Sequence, residues 1–257
     1  MYDIKNKVAI VTGSTRGIGK SIARKLGYEG ALLVLNYRKR DDEANNALRE
    51  LKSLGYEAIA VKADLSMEED CRLLIDTTMD TFGKLDILVN NAGTGFYSPF
   101  KDINDKLIEK TLGTDFKSVL YCSLYASRAM ERGVIINIAS ITGIIPYYGL
   151  SVYGSLKSAV INLTKSMALE LAPDIRVNAI APGLVNTNLG GSLLNVMGIS
   201  WDTWINKYTL TKKATEPDEI AEAVIAEIKI DTMTGEVIKI DGGQALKSGD
   251  FKKESRI

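Results

Sequence analysis

The sequence contains no histidine. That excludes a Ser-His-Asp triad, Cys-His nucleophilic catalysis and imidazole ligation of a metal. Acid–base chemistry falls to tyrosine, lysine or carboxylates. Cysteine is scarce. Cys71 and Cys122 both lie in helix-like segments, with neither metal-site spacing nor a disulfide framework. No metal site is expected, and a reducing cytoplasm is the expected compartment. No apolar run reaches the roughly 18 residues that span a bilayer, so no membrane partner is expected. Met1-Tyr2-Asp3 leads directly into a strand-like run and leaves no room for a signal peptide. The formal net charge is +0, which argues against nucleic acid as a partner. No linker or charge block divides the chain, so residues 1–257 read as one domain.

What the chain does contain is alternation. The continuous apolar run at 8–11 reads as a strand buried on both faces, and the segments at 31–35, 58–61, 85–89, 134–138, 176–180 and 236–240 read as further strands. Helical patterns stand between them, at 18–26, 42–54, 67–82, 104–130, 150–171 and 217–228. This order predicts an α/β fold: a Rossmann-type, doubly wound parallel sheet of about seven strands with helices on both faces, in three layers. The last dozen residues are polar and expected to be loosely held.

The first strand is followed by Thr12-Gly13-Ser14-Thr15-Arg16-Gly17-Ile18-Gly19. Strand, glycine-rich turn and helix together form a context in which backbone N–H groups and a helix N-terminus bind phosphate. Gly19-Lys20-Ser21 imitates the end of a P-loop, but that motif needs glycine at position 14, where Ser14 stands. The second strand ends in Asn36-Tyr37-Arg38-Lys39-Arg40. An acid there would bind the 2′-hydroxyl of NAD, whereas arginine accommodates the 2′-phosphate of NADP. Arg38 is well placed and Arg16 could approach the same phosphate, so NADP(H) is the preferred cofactor, with NAD(H) still open. After the fourth strand, Asn90-Asn91-Ala92-Gly93 suits a crevice where a ligand lies close to backbone. In the helix at 150–171, Tyr153 and Lys157 are four apart and share one face. A neighbouring ammonium would favour the phenolate and make Tyr153 a proton donor or acceptor near neutral pH.

Taken together, these segments resemble the short-chain dehydrogenase/reductase family from about residue 7 to 243. Residues 12–19 resemble its cofactor turn. Asp64, followed by Leu65, resembles the acid near the adenine ring. Asn90, Ala92 and Gly93 resemble its Asn-Asn-Ala-Gly segment. Pro182, Gly183, Val185 and Thr187 resemble the segment touching the nicotinamide. Ser140, Tyr153 and Lys157 fall on the family's catalytic serine, tyrosine and lysine. The resemblance implies hydride exchange between a nicotinamide and a carbonyl or alcohol carbon of a small molecule. Ser140 would polarise the carbonyl, Tyr153 would donate the proton, and Lys157 would lower the Tyr153 pKa and hold the nicotinamide ribose. It also implies a homotetramer or homodimer, paired through the helices at 104–130 and 150–171.

One position departs from the family pattern. Asp115 falls where the family has a catalytic asparagine in a proton relay. Aspartate loses the amide donor and adds a negative charge that would hold a proton on Lys157 if close enough. Substrate information is expected in a lid at about 187–215, with Leu193, Leu194, Met197, Trp201, Trp204 and Tyr208. Phe96, Ile141, Ile144, Pro146, Tyr147 and Tyr148 are expected on the opposite wall. An apolar, aromatic pocket favours a ketone or acyl substrate, as in 3-oxoacyl-acyl-carrier-protein reductases. A glucose 1-dehydrogenase-like sugar oxidation is the alternative. A cofactor-sensing regulator on the same fold is the non-enzymatic one.

Overall fold

Val8-Ala9-Ile10-Val11 offers water no polar face, and a strand of that kind needs cover on both sides. The computed structural model describes residues 1–250 and places this strand, β1, inside a seven-stranded parallel sheet. The other strands are β2 (Leu32–Tyr37), β3 (Ala58–Lys62), β4 (Ile87–Asn90), β5 (Gly133–Ile138), β6 (Ile175–Pro182) and β7 (Val237–Ile240). Their order is β3-β2-β1-β4-β5-β6-β7. The helices are α1 (Gly17–Tyr28), α2 (Asp41–Ser53), α3 (Glu68–Phe82), α4 (Asp105–Leu112), α5 (Ser118–Ala129), α6 (Ser151–Leu171), α7 (Asn188–Met197), α8 (Trp201–Tyr208) and α9 (Pro217–Lys229).

Strand periodicity divides the core in two. Ala9, Val11, Leu33 and Leu35 join Ile22 and Leu26 of α1, Leu51 of α2 and Val224 of α9. Val8, Ile10 and Val34 join Leu74 of α3, Ala126 of α5 and Ala168 of α6 on the opposite face. Successive residues of one strand therefore feed opposite layers, giving the expected three-layer arrangement. β1 pairs with β2 on one side and β4 on the other. At such a reversal of winding the flanking connections leave in opposite directions and open a crevice at the strands' C-terminal ends.

Two segments differ from the sequence reading. The helix expected over 104–130 is not continuous: α4 and α5 are joined by a π turn, Gly113–Lys117. Asp115 lies within it. Single π turns inside helices mark an inserted residue and recur at functional sites. The lid region also has more structure than expected. Thr187 caps α7 by accepting from Gly190 N at 3.1 Å, and Ser200 caps α8 by accepting from Thr203 N at 3.1 Å. Of the polar tail, Gln244–Asp250 forms a 3-10 helical segment, and residues 251–257 lie outside the described ones.

One buried acid stands outside the site. Glu227 on α9 is fully buried, and its carboxyl oxygens have no hydrogen-bond partner among the described residues. The Arg176 guanidinium spends two of its hydrogen bonds on the Glu227 and Met233 carbonyls instead. Burial pushes the Glu227 carboxyl up to about 9, Glu236 adds to the rise, and Arg176 opposes it. Its unfolded value is near 4.3, so the folded chain holds a proton that the unfolded chain has released. Stability should therefore fall as pH rises between those two values. Glu227→Met should add on the order of 2 kcal/mol at pH 8.5 and little at pH 4.5. Thermal melts at both pH values check this, and equal shifts at the two would exclude burial of an ionisable carboxyl as the cause.

Candidate active site

The cleft runs along the C-terminal ends of the strands, with a volume of 1780 Å³. Its first wall is the turn after β1. Gly13 and Gly17 have φ of +60° and +55°, which side-chain-bearing residues rarely adopt. Gly19 is needed for close approach. A Cβ there would stand 2.6 Å from the Gly13 carbonyl oxygen and 2.9 Å from Ser14 Cα. The result is a backbone cradle at the start of α1, formed by Gly13, Thr15, Arg16, Gly17, Ile18 and Gly19. It fits the pyrophosphate of a dinucleotide, which binds to N–H groups at a helix N-terminus.

Thr12 and Ser14 belong to that motif but do not reach the cleft. Thr12 is buried, and its hydroxyl oxygen accepts from Asn91 N and Ala92 N, each at 2.9 Å. Ser14 Oγ accepts from Asn36 N at 3.2 Å, and the Asn36 side chain accepts from Gly13 N at 3.2 Å. These residues fasten the turn to the ends of β4 and β2. Asn90 is likewise turned inward, donating to Ser123 Oγ at 2.9 Å and Asn137 Oδ1 at 2.8 Å. Its neighbour Asn91, from the same segment, lines the cleft and donates to the carbonyls of Thr12 and Gly13.

Beyond the turn, Arg38, Asp64 and Leu65 line one end of the cleft, where the adenosine is expected, together with Lys39, Arg40 and Glu43. Arg38 Nη1 stands 3.6 Å from Asp64 Oδ2, and Arg16 Nη1 stands 3.9 Å from Glu43 Oε2. Both pairs are half exposed, so they hold these cations only weakly. Ala92 and Gly93 form the middle of the cleft, and Pro182, Gly183, Val185 and Thr187 its far side. Gln244 joins them without any local pattern to announce it. It donates to the Tyr147 hydroxyl at 3.1 Å and accepts from Leu184 N at 3.1 Å.

Ser140, Tyr153 and Lys157 come together opposite the turn. Ser140 follows β5 and caps a short 3-10 turn, Ile141–Gly143, accepting from Thr142 N at 3.2 Å and from Thr142 Oγ1 at 2.9 Å. Two donors on one hydroxyl oxygen leave the Ser140 proton to point outward. Thr142, which no motif flags, is thus part of how the site is built. The 3-10 turn packs directly on α6: a Cβ on Gly143 would lie 2.6 Å from the Lys157 carbonyl carbon. Ser140 stands close enough to the Tyr153 phenol to pull its pKa down.

Lys157 is buried. Its ammonium donates to the Ile138 carbonyl at 3.0 Å and stands 5.6 Å from the centre of the Tyr153 ring. Asp115 is 0% exposed and does not line the cleft itself. Its Oδ1 lies 3.5 Å from Lys157 Nζ. Burial pushes the Asp115 carboxyl up, while Lys157 and the Thr94 hydrogen bonds pull it down. The expected lowering of Tyr153 is not found. Burial holds its phenol well above the ordinary value, the Asp115 charge adds to this, and only Ser140 opposes. The physical reason is burial of the phenol first and the Asp115 charge second, with Lys157 itself standing 3.5 Å from that carboxylate.

The other end of the cleft is apolar and aromatic. Tyr97, Tyr147, Tyr148, Leu189, Leu193 and Trp204 are among its lining. Tyr97 belongs to no motif, and its ring centre stands 6.3 Å from that of Tyr148. Met197 and Tyr208 also reach the cleft. Leu194 instead packs with Trp204 and Tyr208 in a small cluster, with Trp201 against it. Phe96, Ile144 and Pro146 do not line the cleft, and Phe96 lies under Lys110.

A profile for short chain dehydrogenases matches residues 7–196. The 3beta-hydroxysteroid dehydrogenase 1 of Eggerthella lenta is 35% identical, over 97% of this chain and 98% of its own. A 3-oxoacyl-acyl-carrier-protein reductase of Staphylococcus epidermidis is 34% identical, over 94% and 100%. Among solved structures, a short chain dehydrogenase of Burkholderia cenocepacia in complex with NADP superposes with a TM-score of 0.86, at 30% identity, covering 94% of this chain and 99% of that one. The chain belongs to the short-chain dehydrogenase family and is an NAD(P)-dependent oxidoreductase acting on alcohol and carbonyl carbons.

Proposed function

We propose that this protein is an NADPH-dependent reductase of an uncharged ketone or 3-oxoacyl group, with Ser140, Tyr153 and Lys157 as its catalytic residues. The observation that carries the reading is the distribution of charge in the cleft. Arg16, Arg38, Lys39, Arg40, Glu43 and Asp64 all stand at the adenosine end. Lys157, paired with Asp115, is the one ionisable Lys, Arg, Asp or Glu lining the substrate half among the described residues. A substrate bearing its own charge would find no partner there. An aldohexose would need several fixed polar groups in place of an aromatic wall, which disfavours the glucose 1-dehydrogenase-like alternative.

When bound, the nicotinamide supplies the hydride. Gly13, Thr15, Arg16, Gly17, Ile18 and Gly19 would hold its pyrophosphate, and Asp64 and Leu65 its adenine. Ala92, Gly93, Pro182, Gly183, Val185 and Thr187 would hold the rest, with Lys157 on the nicotinamide ribose. Ser140 donates to the substrate oxygen and polarises the carbonyl. Tyr153 gives that oxygen its proton. Arg38 and Arg16 supply the charge for a 2′-phosphate. The chain would work in the cytoplasm as one domain whose segment 187–215 closes over the substrate. Leu124 on α5 and Leu169 on α6 are exposed apolar residues on the helices expected to pair subunits, which supports a dimer or tetramer.

A screen following nicotinamide absorbance tests the reading. It takes acetoacetyl thioesters, small diketones and aldohexoses, each with NAD(H) and NADP(H). Reduction of the first two classes with NADPH is expected, and oxidation of aldohexoses alone would reject the proposal. Cofactor binding without turnover of any of them would favour the sensing regulator. In the same assays Arg38→Ala should weaken NADPH about tenfold, with NADH changed less than about threefold. Equal weakening of both would remove Arg38 from 2′-phosphate recognition.

A further inference from the structure

Asp115 brings to its surroundings a negative charge that the amide of the family pattern would not. Thr94 N donates to Oδ1 at 3.0 Å and to Oδ2 at 3.1 Å. Thr94 Oγ1 donates to Oδ2 at 2.8 Å, and Lys157 Nζ approaches Oδ1 at 3.5 Å. The Thr94 amide and the Lys157 ammonium can only donate, whereas the Thr94 hydroxyl can donate or accept. An asparagine could keep the same contacts by turning its NH2 to Thr94 Oγ1, but it would bring no charge to set against Lys157. Gly93 makes the room: a Cβ there would stand 2.8 Å from Asp115 Oδ1 and 3.6 Å from Lys157 Nζ. The π turn aims the carboxylate inward, and Thr94, two residues beyond Ala92, clamps it.

With Asp115 ionised and Lys157 protonated the pair carries no net charge, and burial, which pushes the carboxyl up, sets the acid limit of that state. The Tyr153 phenol faces Asp115 from the π turn, Ser140 from the end of β5 and Lys157 from its own helix. Among the described residues no unpaired cation stands beside it. We propose that Asp115, clamped by Thr94, is a positioning residue that cancels the Lys157 charge, keeps Tyr153 a phenol, and so sets the site for proton donation to a carbonyl and against proton removal from an alcohol. This rests on the reductase reading above. Reduction moves the phenol proton to the substrate oxygen, and water then reprotonates the phenolate. Alcohol oxidation requires the phenolate first, which this pairing disfavours.

Two measurements test the inference. The first is ultraviolet titration of tyrosinate in the cofactor-free protein, taking Tyr153→Phe as the blank for the other tyrosines. In the native chain the Tyr153 signal should appear only above the ordinary phenol value of about 10. With Asp115→Asn, against Asp115→Asn/Tyr153→Phe as blank, it should move down by at least about one pH unit. The second is the pH profile of alcohol oxidation, whose rising limb should move down by the same amount in Asp115→Asn. An unmoved tyrosinate midpoint in the folded variant overturns the inference. If Asp115→Asn does not fold, the native titration decides: a Tyr153 midpoint below about 10 overturns it. Because the titration needs neither substrate nor cofactor, a shifted tyrosinate without turnover would fail the reductase reading alone. Turnover with an unmoved tyrosinate would fail only the role of Asp115.

Discussion

Tyr153→Phe should lower kcat for carbonyl reduction by about 10³-fold and leave NADPH affinity within a factor of about three. The phenol is a titratable hydroxyl in the cleft near Ser140, and a histidine-free chain offers no imidazole to replace it. Phenylalanine keeps the ring over Lys157 and removes only the hydroxyl. The cofactor cradle is built from the turn after β1 and stands on the far side of the cleft, so binding should survive. Stopped-flow turnover and NADPH fluorescence separate the two effects. Native-like kcat in this variant would remove Tyr153 from the chemistry. Loss of both activities would show that the hydroxyl serves the architecture instead.

The second large effect concerns stability. Lys157→Met should destabilise the protein by about 3–5 kcal/mol near neutral pH, because it strands a buried carboxylate. Asp115 is fully buried, and without the ammonium only Thr94 remains to satisfy it. Protonation relieves the stranded group, with a clear sign. Burial raises the folded value of this carboxyl above the unfolded one, near 3.9, so the loss should be smallest at acid pH and grow as pH rises. Adding Asp115→Asn should restore most of the stability while leaving turnover lost. Urea denaturation of the three chains at pH 5 and pH 8 measures this. A single variant as stable as the native chain at pH 8 would mean that the pair contributes nothing to folding.

β1 was legible as an unbroken apolar run that a sheet covered on both faces accommodates, whereas β6 and β7, which carry Arg176, Asn178 and Lys239, were legible from their place in the alternation. β2 runs two residues further than expected because Asn36 and Tyr37 pair with Val61 and Lys62, a contact no local pattern announces. The glycine turn and the positions of Ser140, Tyr153 and Lys157 were legible as spacing. Which way a motif residue points was not. Thr12, Ser14 and Asn90 turn inward toward groups 22 to 80 residues away. Gln244 reaches back 97 residues to Tyr147. Thr94 has no signature at all, since its role exists only when Asp115 stands opposite. The Tyr153 expectation went in the wrong direction for a related reason. Spacing showed the cation and could not show how deeply the phenol is buried or that Asp115 stands near it.

The π turn at Gly113–Lys117 has a bearing on how this chain tolerates changes in length. One residue beyond an α-helical count puts α4 and α5 about 100° out of phase with each other. Deleting any single residue between 113 and 117 would heal the helix into a regular one. It would also rotate one flank by that angle, swinging either the Thr111 side of α4 or the Cys122 side of α5 away from its packing. A surface loop absorbs such a deletion, but this segment would transmit it along a whole helix. Length here is fixed by rotational register, a constraint separate from the chemistry of Asp115.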